Sequence, residues 1–196
     1  NGTNKKNIYP TPVIGGVGLI KKLSVPIINI FKKNKSNLVM IGKTFGHIEQ
    51  SCFLKENFSI SEGLPPEINL LNEKNNGESL LELINNNLVL SSHDISSGGL
   101  IIALAEMALG SNYGAKIFKP KKLTNLSNYF FGEDQARYII EVEANNLSKT
   151  EKILKDNGVY YENIGFTQKE YFEIEGELKI SNKDLYKINN EWYNNY

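Results

Sequence analysis

Residues 91–110 read SSHDISSGGLIIALAEMALG, and this stretch decides what kind of fold the chain can form. The apolar run at residues 88–90 predicts a strand, Asp94 stands at the end of that strand, and a Ser/Gly turn follows. The almost wholly apolar run from Leu100 predicts a helix that covers a sheet. The stretch therefore predicts a strand, a turn and a helix, with a carboxylate presented at the turn.

The turn after Asp94 has two interpretations. In the functional one, free N–H groups at the helix start bind an anion, Gly98 and Gly99 let a ligand approach the backbone, and Asp94 holds a hard cation such as Mg²⁺. In the structural one, Ser96 or Ser97 caps the helix and the glycines serve only packing. Short Gly-rich turns are weak signals, so these residues alone leave both interpretations open.

A second segment carries polar residues just before another strand. Residues 130–142 read FFGEDQARYIIEV, which places a glycine and two adjacent acids ahead of an alternating pattern. Period-two alternation predicts a strand with one apolar face. The residues expected on that face are Ala136, Tyr138, Ile140 and Val142.

Arg137 is the only arginine in the chain, since every other basic side chain except the two histidines is lysine. Its planar guanidinium suits bidentate contacts with a carboxylate or a phosphate. An ordinary cross-strand ion pair with Glu133 or Asp134 explains the residue equally well. Both interpretations stay open.

Three motifs in order resemble the phosphoribosylformylglycinamidine synthase family, the synthetase of de novo purine synthesis, in its C-terminal part. They are YPTPVIGGVGLI at residues 9–20, HDISSGGL with ALAEM at 93–107, and FGEDQARYIIEV at 131–142. The stretches FGHIEQSCFLKE, GLPPEINLLNE and LYKINNEWY fall where that family has comparable sequence. The resemblance covers nearly the whole chain and implies a C-terminal domain of the aminoimidazole ribonucleotide synthetase type.

The resemblance implies a cytoplasmic, ATP- and Mg²⁺-dependent ligase. Such an enzyme activates the amide oxygen of formylglycinamide ribonucleotide with the γ-phosphate of ATP, and ammonia then displaces phosphate to give the amidine. A glutaminase domain or subunit supplies the ammonia. The family's general base and its main ATP and Mg²⁺ ligands lie in N-terminal half-domains, so we expect no catalytic residue in this chain.

The resemblance also implies site residues, as the second copy of a duplicated unit. Expected metal ligands are Asp94, Glu133 and Asp134; expected contacts to nucleotide phosphate or substrate are Ser96, Ser97, Gly98, Gly99, Gly132 and Gln135. We predict that the two groups converge in one concave site. Two positions depart from the family: Ser97 stands where an Asp is usual, and Cys52 where an acid is common.

The expected domain organisation divides the chain near residue 34. The chain starts at Asn1 without Met, so we expect a piece of a longer protein. Residues 1–34 would be the final strand of a preceding half-domain plus a connection, and residues 35–196 the C-terminal domain. We predict a strand over residues 13–20 that lacks a sheet edge of its own, and a short strand near residues 27–31.

Charge and cysteine content exclude several classes of protein. Lys plus Arg and Asp plus Glu both number 22, which suggests neither a nucleic-acid nor a membrane-surface partner. No apolar run approaches the roughly 20 residues of a membrane span. The single cysteine permits no internal disulfide. We interpret Cys52 as a small buried apolar residue. The less favoured alternative is that Cys52 is a nucleophile activated by His47.

The remaining pattern predicts a mixed sheet covered by helices, which is an α+β fold. Expected strands lie at residues 38–41 and 160–166, with a hairpin of 171–174 and 178–180. Expected helices are 78–85, then 148–156 with Ser148 and Glu151 as a capping box, then one from Ser181 and Asp184 to Trp192. Trp192 is interpreted as a core anchor.

Two other functions remain open. One is a fragment of a relative such as aminoimidazole ribonucleotide synthetase, selenophosphate synthetase or a thiamine-monophosphate kinase. The other is a non-catalytic lobe with a vestigial nucleotide site, whose surface docks other domains and a glutaminase subunit. Replacing Asp94 separates a working site from a vestigial one.

Overall fold

A mixed sheet with helices on both faces forms the body of the molecule. The computed structural model describes residues 12–19, 26–120 and 125–194, and over these ranges the sheet has seven strands. The strands are β1 Asn37–Ile41, β2 Ser91–Asp94, β3 Gly114–Ile117, β4 Tyr138–Val142, β5 Tyr161–Gln168, β6 Tyr171–Ile174 and β7 Leu178–Ser181. The helices are α1 Cys52–Phe58, α2 Leu70–Asn85, α3 Gly99–Leu109, α4 Leu126–Phe131, α5 Leu147–Asp156 and α6 Asn182–Asn194.

The strand order is β2-β4-β1-β5-β3-β6-β7. Neighbouring strands pair antiparallel except β3 and β6, which pair parallel. Strand β2, which ends at Asp94, lies at one edge, and Asp94 pairs with Tyr138 of β4. The predicted mixed sheet is therefore confirmed, and the sheet places the residues after β2 beside those before β4.

The two faces of the sheet bury separate clusters of apolar side chains. Along β1, Leu38 and Met40 pack with residues of α3 and α4, while Val39 and Ile41 pack with residues of α2 and α5. This follows from the alternation of side chains along a strand. The fold is α+β, as predicted, and its helices lie on both faces of the sheet.

Several predicted elements are confirmed. Strand β1 covers the predicted residues 38–41, and β6 with β7 forms the predicted hairpin. Helix α6 begins where expected: the N–H of Asp184 donates to the Ser181 hydroxyl at 3.1 Å. Helix α5 ends at Asp156, and Gly158 follows it with a φ of +68°, as expected of a residue that ends a helix.

Two predicted helix starts are wrong. Helix α2 starts at Leu70 rather than at residue 78, because the Asn69 side chain accepts from the N–H of Asn72 at 3.0 Å and caps a longer helix. Helix α5 starts at Leu147, after a 3-10 turn, with no side-chain cap from Ser148. Leu70 itself is exposed, and the first buried residue of α2 is Asn76, so the helix begins before its buried face.

Three predicted strand details are also wrong. The strand expected at residues 88–90 begins only at Ser91, although Leu88 and Val89 are buried against the sheet. Residues 27–31 form no strand, and Phe31 instead fills the core below α3. Ala136 precedes β4 with a φ of +58°, so it is not part of the alternating face.

Two side chains lie outside the core where burial was predicted. Trp192 is 69% exposed, because α6 contacts the core through Leu185 near its start rather than through its last turns. Cys52 is exposed as the first residue of α1, whereas the adjacent Ser51 is buried and caps that helix.

Residues 12–19 do not join the sheet. Residues 12–19 form no strand, and Val13 and Val17 are 95% and 105% exposed. The strand predicted over residues 13–20 is therefore absent from residues 12–19, and Ile20 and the first eleven residues lie outside the described ranges. The assignment of residues 1–34 to a preceding half-domain stays a prediction.

The connection into β1 is held by a buried carboxylate. Glu141 is fully buried and accepts from the N–H groups of Lys32 and Lys33 at 2.8 and 2.9 Å and from the Ser91 hydroxyl at 2.8 Å. These bonds fasten residues 32–33 to β4.

None of the helices in the described part of the chain is both long and apolar enough to cross a membrane.

Candidate functional site

The turn between β2 and α3 packs against the segment that leads to β4. A Cβ atom added to Gly99 would lie 2.7 Å from the carbonyl oxygens of Phe130 and Gly132. Gly98 and Gly99 have φ angles of +81° and +73°, a region that favours glycine. The close approach therefore requires Gly99, while a Cβ on Gly98 would instead meet the Ile102 side chain at 2.5 Å. The structure brings the predicted turn next to Gly132.

The carboxylate of Glu133 lies at the start of two helices. Its Oε1 accepts from the N–H of Gly98, just before α3, and from the N–H of Cys52, the first residue of α1, both at 2.8 Å. A carboxylate here satisfies free N–H groups and is favoured by both helix dipoles. Glu133 thus takes the place at the start of α3 where we expected a phosphate, and it links α1 to α3.

Ser96 and Ser97 do not cap α3. The capping residue is Gly98, which makes no side-chain hydrogen bond to the helix, and both serines are exposed. The alternative in which one serine serves as the cap is wrong. Gly98 occupies the cap position, and its N–H donates to the Glu133 carboxylate. The serine hydroxyls are accessible to a ligand.

Asp134 is turned away from this turn. Its Oδ2 accepts from the N–H groups of Phe45 and Gly46 at 3.0 and 2.9 Å, and its Oδ1 accepts from the N–H of His47 at 3.1 Å. The residue is 5% exposed. Both oxygens are occupied by backbone donors, so the structure corrects its expected role: Asp134 organises the loop after β1 and is closed to a metal ion.

Arg137 is a buried support for the same loop. Its guanidinium donates to the carbonyl oxygens of Asp134 and Gly132 at 3.1 and 2.6 Å and to the Thr44 hydroxyl at 3.1 Å. Burial lowers the pKa of Arg137, and the nearby Asp134 carboxylate opposes that shift. The guanidinium is 3.9 Å from the Asp134 carboxylate. The predicted ion pair with Asp134 is therefore present, but it is buried and joins residues three apart in one segment rather than residues on two strands.

Buried Tyr129 of α4 and half-buried Glu162 of β5 form a second polar pair. The Tyr129 hydroxyl donates to Glu162 at 3.2 Å. Burial is the main cause that raises the pKa of Tyr129 well above its usual range, and Glu162 adds to the shift. Burial also raises the pKa of Glu162, and the hydrogen bond from Tyr129 partly offsets this.

Asp94 lies at the sheet edge beside a histidine. The His93 ring is 3.3 Å from the Asp94 carboxylate and, through Nε2, 3.1 Å from Glu106 of α3. The Asp94 side chain is 66% exposed. Burial is the main cause that raises the pKa of the Tyr138 phenol, and the nearby carboxylates of Glu73 and Asp94 add to the shift. The Asp94 carboxylate therefore lies close enough to Tyr138 to act on it electrostatically.

The predicted site is therefore only partly assembled. The turn, Gly132 and Glu133 are in contact; Asp134 serves another loop; and Gln135 is exposed at a different cavity. Across residues 12–19, 26–120 and 125–194, no group of three or more His, Cys, Asp or Glu side chains is placed to hold a metal ion. The assignment of site residues stays a prediction, without Asp134.

A cavity of about 270 Å³ lies between the loop after β1, the start of α2 and the turn before β4. Gln135 and Phe45 line it, together with Asn69 and Asn72 of the first turn of α2. The sequence pattern did not indicate this cavity, because its residues come from three separate segments. Two signals were available: Asn69, a good capping residue ahead of a helix, and Gln135, which the resemblance already named as a binding residue.

The sequence interpretation also missed α1, whose first N–H binds Glu133. The signal was Ser51, whose side chain accepts from the N–H of Leu54 at 3.3 Å. A serine before Cys-Phe-Leu is a recognisable cap, but a helix of seven residues has too little periodicity to be found with certainty.

Residues 36–175, more than two thirds of the chain, match the family described as AIR synthase related protein, C-terminal domain. The chain belongs to this family. The match begins just before β1 and ends after β6. The matched residues therefore include both the glycine turn and the segment before β4.

Two curated relatives of the chain share one description. The chain is 43% identical over 196 residues to "Phosphoribosylformylglycinamidine synthase subunit PurL" of Pelagibacter ubique and covers 27% of that protein. It is 36% identical over 196 residues to the protein of the same description from Rhodopseudomonas palustris, again covering 27% of it. The resemblance found in the motifs is confirmed, and the chain spans about a quarter of the length of these relatives.

Solved structures share the fold. "T. maritima PurL complexed with FGAR" has a TM-score of 0.67 at 16% identity, over 82% of this chain and 29% of that one. "T. maritima PurL complexed with ATP" has a TM-score of 0.63 at 14% identity, over 82% of this chain and 27% of that one. A thiamine-monophosphate kinase from Stenotrophomonas maltophilia has a TM-score of 0.53 at 14% identity, over 77% of this chain and 53% of that one. At such identities these likenesses describe the fold alone.

Proposed function

We propose that the chain is the C-terminal lobe of an ATP-dependent ligase that converts formylglycinamide ribonucleotide to its amidine with ammonia derived from glutamine. The observation that carries this proposal is 43% identity over the whole chain to a protein described as a phosphoribosylformylglycinamidine synthase subunit. The structural neighbours complexed with FGAR and with ATP support it.

Within that ligase, we assign the glycine turn to a phosphate group of nucleotide or substrate. Ser96 and Ser97 are exposed and supply hydroxyls, and the backbone at Gly98 and Gly99 admits a close ligand. A phosphate can reach the N–H of Gly98 only when Glu133 releases it. Binding at this turn therefore requires the Glu133 side chain to move.

Asp94 and Glu133 remain the proposed magnesium ligands. Mg²⁺ is usually held by one or two carboxylates and completes its shell with phosphate oxygens and water, so two carboxylates suffice once a phosphate is present. When bound, the ion would neutralise phosphate charge. Asp134 is excluded from this set because its carboxylate is buried among backbone donors.

The proposed partners follow from the reaction. Further domains would supply the general base and the main ATP site, a glutaminase domain or subunit would supply ammonia, and the ribonucleotide would be the substrate. "Structure of PurLQS from Thermotoga maritima", a neighbour with a TM-score of 0.62 at 17% identity, supports an assembly of several subunits. We place the reaction in the cytoplasm.

A second candidate function is a non-catalytic lobe. The observation that favours it is the Glu133 carboxylate, which occupies the start of α3 and ties α1 to α3. A side chain in that position stabilises the domain without any ligand. In this alternative the turn is architectural, and the surface serves to dock other domains and the glutaminase.

One pair of variants tests these functions in the complete protein. The ligase proposal predicts that formylglycinamide ribonucleotide, ATP, Mg²⁺ and ammonia yield amidine, ADP and phosphate; absence of that reaction refutes it. Asp94→Ala should then weaken nucleotide binding with the fold intact if the turn is a working site. Asp156→Ala, at an exposed helix end, is the matched control. Unchanged binding and turnover in Asp94→Ala would favour the architectural lobe.

A further inference from the structure

The cavity beside Gln135 combines an aromatic ring with several amide groups. Phe45 lines it and is 69% exposed, an unusual position for a phenylalanine in a loop that is otherwise pinned by hydrogen bonds. The Lys43 ammonium lies 5.0 Å from the centre of the Phe45 ring. The opening therefore offers an aromatic surface of the kind on which planar rings stack.

The polar lining is of mixed donor and acceptor character. Asn69, Asn72 and Gln135 contribute amide groups, and Glu67 contributes a carboxylate. The described lining includes two carboxylates, Glu67 and Asp134, and neither lysine nor arginine. Although the Lys43 ammonium lies over the Phe45 ring, the lining itself disfavours a phosphate as the ligand. Amides instead match the edges of nucleobases, where donors and acceptors alternate.

One residue of the cavity lining, Ala136, is held in a strained conformation. Ala136 has a φ of +58°, which is uncommon for a residue with a side chain. The Asn76 side chain donates to the Ala136 carbonyl at 2.8 Å, and a Cβ atom on Gly42 would lie 2.4 Å from that carbonyl. Such strain persists only where its surroundings impose it, and it is concentrated at ligand-binding sites.

We propose that this cavity binds a nucleobase, stacked on Phe45 and hydrogen-bonded by Asn72 and Gln135. At about 270 Å³ the cavity is just below the range of pockets for drug-sized ligands, which suits a ring system rather than a whole nucleotide. The expectation that the base belongs to a nucleotide rests on the proposed function. The segment 132–135 borders both the cavity, through Gln135, and the glycine turn, through Glu133.

Photolabelling of the complete protein with 8-azidoadenosine tests this inference, because it reports where the base lies. We expect labelled peptides to include residues 45–47 or 67–72, and adenosine to suppress the label while inorganic phosphate does not. Phe45→Ala and Asn72→Ala should each weaken labelling there roughly tenfold. Both side chains are exposed, so neither change removes a core contact.

Two matched variants serve as controls. Phe58→Ala removes another phenylalanine that is 58% exposed, and Asn75→Ala removes an asparagine of α2 that lines a different cavity. Both should label like the unmodified protein. Labelling confined to other peptides, suppression by phosphate as strong as by adenosine, or equal effects in test and control variants would each overturn the inference.

The outcome is separable from the ligase proposal. Labelling needs no turnover, so a protein that labels at the cavity but forms no amidine would refute the ligase and leave the base site standing. A protein that forms amidine but shows no label at these peptides would refute only the base site.

Discussion

Asp134→Asn should loosen the loop after β1 while leaving the sheet intact. The wild-type carboxylate accepts three backbone N–H groups, two on Oδ2 and one on Oδ1. An asparagine keeps one carbonyl oxygen for Phe45 and Gly46 but turns an NH₂ group toward the N–H of His47. One charge-assisted bond is then lost and one buried donor is left without an acceptor.

The size of the effect follows from these contacts. Loss of a hydrogen bond to a charged group costs about 1.5–3 kcal/mol, and Arg137 loses its buried counter-charge at 3.9 Å. We expect about 2–3 kcal/mol of local destabilisation in total. Because about 1.4 kcal/mol corresponds to a factor of ten, amide exchange at residues 45–47 should accelerate about 30- to 140-fold.

Hydrogen exchange read by mass spectrometry on peptides covering residues 43–50 measures this directly. Asp156→Asn, at an exposed helix end, should change exchange in that peptide by no more than a small factor, as surface substitutions usually do. If Asp134→Asn folds and the peptide exchanges at the wild-type rate, then the carboxylate does not hold the loop and our account of Asp134 is wrong.

Three further outcomes are expected. Gly99→Ala should destabilise the protein by about 3 kcal/mol, seen as a lower denaturation midpoint, since its Cβ would approach the Phe130 and Gly132 carbonyls to 2.7 Å at a φ of +73°. Burial raises the pKa of the Glu162 carboxyl above 4.5, so the native state holds the carboxyl proton more tightly than the unfolded state does. The free energy of unfolding should therefore fall as pH rises through the raised pKa. Glu162→Gln should flatten that part of the curve of stability against pH, and an unchanged curve would contradict this. The 196-residue chain alone should form no amidine from formylglycinamide ribonucleotide, ATP, Mg²⁺ and ammonia. Chromatography measures this, and any amidine detected would show that the general base of the reaction lies within the chain.

Elements with strong local signals were predictable. The hairpin of β6 and β7 is marked by Glu175-Gly176, and Gly176 has a φ of +72°. Helix α6 is marked by Ser181, whose hydroxyl caps it. In both cases the deciding interaction joins residues a few positions apart, so the sequence alone contains it.

Elements that depend on distant partners were misplaced or missed. Trp192 lies on a helix with an apolar stripe, yet of that helix only Leu185 reaches the core. Which residues of α6 meet the core is decided by how the helix packs on the sheet, and this is a tertiary property. Phe31 reads as part of a strand but fills a gap beneath α3, where its N–H donates to the Met107 carbonyl at 3.1 Å. Neither result is visible in local periodicity.

Glu133 and Asp134 show most clearly where the sequence stops being sufficient. By itself the sequence determined the α+β class, the strand–turn–helix unit around Asp94 and the family, because these depend on local periodicity, turn chemistry and ordered motifs. The tertiary structure alone decided that one of two adjacent acids caps α1 and α3 while the other is enclosed by residues 45–47. The reason is that a carboxylate is stabilised by whichever N–H groups the fold brings to it, and those groups come from segments far away in the chain.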